Sequence, residues 1–289
     1  MKKLLVVLLS AAMVLSVAAV SMAAITTNGQ LEFKYDFGTG VEKTDARIWF
    51  TGKVNDELSA YVRLRANNAQ LNVDYYYFTV AKEWATFQAG RWEFVTDGNV
   101  DILTSIEFLR DDLTQTYGDV PKTNYDWAVL TTIPFGDAFK GYVWYNPGDD
   151  KAATGRNNYA LGLNYAAGIW NADLFYLNTD TSDANDETGY IVNLSIAPTD
   201  AFKAYLHYGH EDDIAGDDDQ FTILGFTYKF DKVLFRGEYD LDDEDGANGI
   251  NPWGFAVSYY ADNGIEWKFT RANKSDTSET VELKTIVKF

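Results

Sequence analysis

The chain has no cysteine, only two histidines among its 289 residues, and far less positive than negative charge. Without cysteine there is no thiol nucleophile, no thiolate metal site and no disulfide brace, so an exported chain of this kind must draw stability from a closed hydrogen-bond ladder. With 24 Lys and Arg against 43 Asp and Glu, the formal charge of −19 argues against nucleic acid or anionic headgroups as partners. Beyond the N-terminus there is also no continuous apolar run approaching the ~18 residues that a spanning helix needs. What the chain does have is aromatic side chains, 16% of the total, although its mean hydropathy is negative. A soluble protein would bury those rings in one core. A membrane barrel turns them toward lipid and keeps polar atoms inside.

The exception at the N-terminus reads as an export signal. Lys2 and Lys3 precede an apolar run from Leu4 to Val20, and Ser21-Met22-Ala23 supplies small residues before a cut after Ala23. Residues 1–23 are thus a signal peptide and 24–289 the mature domain. Removing 23 of 289 residues, two of them lysines, leaves 266 and moves the formal charge from −19 to −21.

From Asn28 onward, apolar and polar side chains alternate in stretches of about ten residues. In the last stretch Val281, Leu283, Thr285, Val287 and Phe289 fall on one face, and Glu282, Lys284, Ile286 and Lys288 on the other. A strand crossing a bilayer at a tilt needs ~9–11 residues, and alternation with turn signals gives sixteen such segments. The lipid-facing sets include Leu31, Phe33, Tyr35, Phe37 in the first strand, Ile48 and Phe50 in the second, Val62 and Leu64 in the third, and Leu71, Val73, Tyr75, Tyr77 in the fourth. The fifth set runs through Phe87 and Ala89, the sixth through Tyr125, Trp127 and Val129. None carries a charge at its middle, where Arg or Lys would cost ~2–4 kcal/mol. The fold expected is all-β: a closed antiparallel transmembrane barrel of sixteen strands.

The connections alternate in length. Short turns such as Val54–Glu57, Phe230–Lys232 and Asp262–Gly264 belong to the periplasm, and longer loops such as Asp149–Gly155, Asn178–Glu187, Glu211–Asp219 and Asp242–Asn251 to the outside. Rings close both ends of several strands, as in Tyr159/Tyr165, Trp170/Tyr176 and Trp253/Tyr259, at the two membrane interfaces. The second and third strands show Ala46, Gly52, Ala60 and Ala66 instead. That stretch of wall is expected to face protein, which favours a homo-oligomer.

The longest connection, Val95–Thr123, is expected to carry function. Ile102, Ile106, Leu109 and Leu113 recur at helical spacing behind an Asp101 N-cap, while Glu107, Arg110, Asp111 and Asp112 lie on or beside the other face. Folded inward, this third loop would narrow the channel. Parity sets Arg47 and Trp49, and Tyr61, Arg63 and Arg65, toward the lumen opposite it. Arg91 would join them only with a bulge, since strict alternation turns it outward. Basic residues facing a carboxylate loop make a transverse field across a constriction, which screens ions and orients dipolar solutes. The same arginines could instead pair with lumenal acids and brace the wall.

The export signal, the alternating strands, the Gly90-Arg91 step before a long third loop, the basic residues on early strands and the terminal Phe289 together resemble general diffusion porins of Gram-negative bacterial outer membranes. The resemblance covers the mature region. It implies an inward third loop, a homotrimer, and a C-terminal aromatic read by the barrel insertion machinery. The chain departs from the family in three places. No acidic, glycine-rich motif is recognisable in Val95–Thr123, the second loop Ala66–Gln70 is too short to latch onto a neighbour, and position 287 is Val.

Other constellations are weaker. Glu211, Asp212, Asp213, Asp217, Asp218 and Asp219, and then Asp242, Asp243, Glu244 and Asp245, read first as solvated loop faces. Surface Ca²⁺ or Mg²⁺ is chemically compatible with them, but Gly246 falls one position late for an EF-hand starting at Asp240. Acids at the mouth concentrate cations, so a weak cation preference is expected. His210 with Asp212 or Asp213 suggests a barrel protease, resting on one rim histidine without a separate carboxylate pair. A sugar-specific channel would use Trp49, Tyr61, Tyr76 and Trp144 as a stacking track, but parity scatters these rings. The function expected is passive diffusion of small hydrophilic solutes and ions, with no cofactor and no bond made or broken.

Overall fold

The structure is a computed structural model, and it describes residues 25–67, 70–91, 128–146, 158–182, 185–212, 219–241, 253–275 and 278–289. All regular elements among them are strands: β1 Ile25–Asp36, β2 Val41–Lys53, β3 Leu58–Asn67, β4 Gln70–Ala81, β5 Thr86–Arg91, β6 Ala128–Phe135, β7 Phe139–Asn146 and β8 Asn158–Ala167. They continue as β9 Trp170–Ser182, β10 Asn185–Thr199, β11 Phe202–Asp212, β12 Asp219–Phe230, β13 Val233–Asp240, β14 Trp253–Tyr260, β15 Ile265–Ser275 and β16 Ser278–Lys288. Each strand pairs antiparallel with its sequence neighbours, and β16 returns to β1, closing a sixteen-stranded barrel. Closure satisfies every edge, which is what makes a sheet tolerable in hydrocarbon.

The alternation in sequence becomes two faces. Val143, Leu161, Leu174, Leu194, Leu224, Phe226 and Leu283 stand exposed on one side, while their neighbours Trp144, Ala160, Asp173, Phe175, Asn193 and Ile223 are buried on the other. The apolar exposed side is the outer wall. Aromatic rings pack across strands on that wall, Phe139 on Tyr165 at 4.8 Å and Tyr259 on Trp267 at 5.8 Å between centroids. At the closing seam, Gly29 and Phe289 exchange backbone bonds of 2.8 and 3.0 Å. The Phe289 ring lies over Gly29 so closely that a Cβ there would come within 2.3 Å of it.

Two expectations about strands are corrected. In β4, Arg63 pairs with Tyr75 but Leu64 pairs with Val73, so Asp74 is an extra residue, a β-bulge. Strict alternation would put Tyr75 and Tyr77 on the lipid side and Tyr76 inside. The bulge reverses the parity, burying Tyr75 and leaving Phe78 as the exposed apolar residue. Second, Asn178–Glu187 is not a long loop. The β9–β10 ladder runs on through Asn178–Thr188 and Asp180–Asp186, because a polar hairpin beyond the membrane can keep pairing without an apolar face. Tyr125 and Trp127 of the sixth set lie outside the described residues.

The turns Val54–Glu57, Phe230–Lys232 and Asp262–Gly264 sit at one end, but the other end also has brief connections, β1 to β2, β3 to β4, β9 to β10 and β15 to β16, so length does not alternate throughout. Asp231 takes φ 51° in a two-residue turn, a conformation Asp tolerates because its short side chain can bond locally. Ion pairs tie neighbouring turns together: Lys232 reaches Asp262 at 2.6 Å and Lys82 reaches Glu57 at 2.5 Å. The residues expected to form a signal peptide, 1–23, lie outside the described residues.

Candidate functional site

The inner wall divides into two sectors. Over β6 to β12 it is largely apolar, with Leu130, Tyr142, Trp144, Ala160, Phe175, Ile191 and Ile223 buried in one cluster. The polar groups embedded there are held by close bonds. Asn164 donates to Asp173 at 2.7 Å, His207 Nδ1 meets Asn193 Oδ1 at 2.7 Å, and the Tyr205 hydroxyl donates to Glu238 at 2.6 Å. That last bond spans two strands. It is possible because the intervening residue is Gly225, where a Cβ would lie 2.1 Å from the Tyr205 ring.

Over β13 to β16 and β1 to β3 the inner wall is charged. Lys268, Lys284 and Lys34 stand directly opposite one another on three consecutive strands. Like charges so placed repel, and acids one step along the strands neutralise them. Lys34 pairs with Glu282, and Lys284 with Glu32 at 3.2 Å. On β2 and β3, Arg47 faces Arg65 and Trp49 faces Arg63. Asp45 bridges the first pair, 2.8 Å from Arg47 and 2.6 Å from Arg65. The Arg63 guanidinium is buried and lies 3.5 Å above the Tyr75 ring, a cation–π contact that exists only because the Asp74 bulge turns Tyr75 inward. Tyr61 and Tyr77 stack beside it with centroids 4.8 Å apart.

A closed antiparallel barrel with an apolar outside and a charged inner sector is the build of an aqueous pore through lipid. Residues 9–278 match the family described as Gram-negative porin. The chain belongs to that family. No curated protein matches it. Among solved structures it is similar to a triple mutant of the Rhodopseudomonas blastica porin at TM-score 0.69 and 15% identity, covering 92% of this chain and 100% of that one. A double mutant of the same porin matches at TM-score 0.70, 15% identity and the same coverage. At that identity the likeness concerns the fold.

As a Gram-negative porin the chain is a non-enzymatic channel of the outer membrane that passes small solutes. In this porin Arg47, Arg63 and Arg65 come together on the inner wall, as parity requires. Arg47 and Arg65 both bond Asp45, so bracing the wall is part of their role. Arg91 ends β5 opposite Tyr76 with no register shift, and Gly90 before it takes φ +144°, with its Cβ position 2.2 Å from the Tyr76 carbonyl oxygen. Only glycine fits that approach. Glu107, Arg110, Asp111 and Asp112, and the whole of Val95–Thr123, lie outside the described residues.

The other candidates are dispersed. Of the four rings in a sugar track, Trp49 and Tyr61 line the inner wall, Trp144 is buried within it, and Tyr76 falls on the outer side after the bulge. The His210 ring packs on Tyr190, an exposed residue of the outer face, at 5.3 Å. Among the described residues no group of three or more His, Asp or Glu is placed to hold a metal. What the sequence reading missed is the lysine row of Lys34, Lys268 and Lys284, with Glu282 paired to Lys34 and Glu32 to Lys284. The signal was present: the parity rule that turned Arg47 inward also turns Lys34 and Lys284 inward.

Proposed function

We propose that this porin is a general diffusion pore with a constriction, weakly preferring cations, and that it assembles as a homotrimer. The observation carrying this reading is the two-sector inner wall. Arg47, Arg63 and Arg65 project from β2 and β3, and the apolar strip over β6 to β12 is the kind of surface that Ile102, Ile106, Leu109 and Leu113 would need. The third loop, Val95–Thr123, leaves from β5 and returns into β6 at the edge of that strip. Laid along it, the loop would turn Glu107, Asp111 and Asp112, with Arg110, toward the arginine wall. The narrow passage between them would carry a transverse field.

The trimer reading rests on the outer faces of β2 and β3, where Ala46, Gly52, Ala60 and Ala66 leave the wall thin. A Cβ at Gly52 would touch nothing within 4 Å. Residues 1–23 act as the export signal, and the exposed C-terminal Phe289 is the residue offered to the insertion machinery. The acidic outer loops favour cations at the mouth through a field acting over the screening length, ~8 Å at physiological ionic strength.

Purified protein in a planar bilayer under a KCl gradient tests the reading. Stepwise conductance in multiples of three, with a reversal potential favouring K⁺, is expected, and replacing Arg63 and Arg65 with Gln should raise that preference. A reversal potential favouring Cl⁻ would overturn the selectivity, and steps of single size would overturn the trimer.

A further inference from the structure

Two guanidiniums on the inner wall share a single carboxylate. Arg47 and Arg65 stand directly opposite on β2 and β3, where two positive charges would push each other apart. Asp45 holds them together. Arg47 donates through Nε at 3.1 Å and a terminal nitrogen at 2.8 Å to one carboxylate oxygen. Arg65 donates through Nε to the other oxygen at 3.1 Å, and its terminal nitrogen lies 2.6 Å from the oxygen that Arg47 uses.

The two sides of this arrangement are exposed unequally. The Asp45 side chain is 13% exposed, but those of Arg47 and Arg65 are 28% and 36% exposed. The acid is covered and the bases are open. A guanidinium carries five N–H donors in a rigid fork, so Asp45 occupies only part of each. What faces the lumen is a pair of pre-aligned forks with one net positive charge and donors to spare. Trp49 stands on the same face, two residues along β2 and so ~7 Å from Arg47, half-buried and opposite Arg63. The Arg63 guanidinium is already stacked on Tyr75.

We propose that Arg47, Arg65 and Trp49 form a binding subsite for small aromatic carboxylates, of which benzoate is the simplest. The planar carboxylate accepts N–H bonds from the two forks, a geometry that guanidinium matches and ammonium does not. The ring extends along β2 onto the Trp49 face, where offset stacking adds to its burial. Asp45 is a positioning residue that keeps the forks parallel before the solute arrives. The subsite rests on the chain being an open channel, and it coexists with a cation-preferring mouth because it acts by contact and the mouth by long-range field.

The test uses the full mature protein folded in detergent, with benzoate, cyclohexanecarboxylate and inorganic phosphate as probes. Calorimetry reads binding and single-channel recording reads block. Benzoate is expected to bind and to interrupt the current in a concentration-dependent way, more strongly than cyclohexanecarboxylate. Arg65→Gln should raise the half-blocking concentration roughly tenfold to a hundredfold, as loss of charge-assisted hydrogen bonds does. Arg65→Lys keeps an ion pair to Asp45 and hence the wall, but lacks the fork, and should lose most of the affinity too. Trp49→Ala should abolish the preference for benzoate over its saturated analogue. Equal binding of phosphate and benzoate, or benzoate binding undiminished in Arg65→Lys and Trp49→Ala, overturns the proposal. A protein that conducts but does not bind benzoate refutes the subsite alone. One that binds through these residues yet never conducts upholds the subsite and refutes the channel.

Discussion

Gly225 acts through the space it leaves open. With no side chain there, the Tyr205 ring crosses β12 and its hydroxyl reaches Glu238 on β13, tying three strands with one bond of 2.6 Å. Glu238 is buried, so a donor to its charge is worth more than an ordinary hydrogen bond. Tyr205→Phe is expected to lower unfolding free energy by about 1.5–3 kcal/mol, measured by urea titration of the protein in lipid vesicles. Gly225→Val should cost at least as much, because the new side chain displaces the ring as well as the bond. Adding Tyr205→Phe to it should then cost little more, since the two changes break the same contact. Independent, additive costs would show that the glycine and the tyrosine do not act as one unit.

At the scale of elements, β4 absorbs one extra residue, Asp74, as a bulge and so keeps Tyr75 and Tyr77 on the inner face. Deleting Asp74 would make Tyr75 follow Val73 directly, and regular alternation would then keep Tyr75 and Tyr77 inward, opposite Arg63 and Tyr61, with both ring contacts retained. The deletion variant should therefore still form a compact heat-modifiable band on cold SDS gels, as should Asp74→Ala; loss of the band in the deletion variant alone would show that closure needs the extra residue. The same bulge marks the limit of what the sequence disclosed. Alternation reveals strands, their number and their faces, because one face must meet lipid and a slip of one residue would reverse it. It placed Phe33, Tyr35, Ile48 and Phe50 outside, where they stand exposed, and turned Arg47, Arg63 and Arg65 inward. It could not disclose Asp74, since a bulge is defined by its pairing partner and leaves no periodic trace of its own. Nor could it show that Asp45 is shared by two arginines, a fact of register between β2 and β3. The turns offer a further measurable quantity. The bond to Asp262 raises the Lys232 pKa above its ordinary 10.5. The clasp therefore stabilises fully below pH 10.5 and is lost as pH rises through the raised value. The unfolding midpoint should fall in that alkaline window, and the part of the fall due to this clasp should vanish in Asp262→Asn.

For the whole molecule the dominant fact is its charge, −19 over the full chain, much of it in the connections β11–β12 and β13–β14. Both connections join strands at the end of the barrel opposite Val54–Glu57, Phe230–Lys232 and Asp262–Gly264. The arginines inside are partly neutralised by Asp45, and the lysine row by Glu32 and Glu282, and the proposed cation preference is assigned to the acids of these two connections. Replacing Glu211, Asp212, Asp213, Asp217, Asp218 and Asp219 by their amides should therefore shift the reversal potential toward Cl⁻ at low ionic strength. Salt gives the signature. The screening length is ~30 Å at 0.01 M and ~3 Å at 1 M, so the difference between variant and wild type should be large in dilute KCl and nearly gone in molar KCl. Replacing Arg63, buried against Tyr75, should instead leave an effect that survives concentrated salt, because close and partly buried charges are screened far less. If the loop variant matches wild type even in dilute KCl, selectivity is set at the inner wall and the mouth acids are a solvated face only.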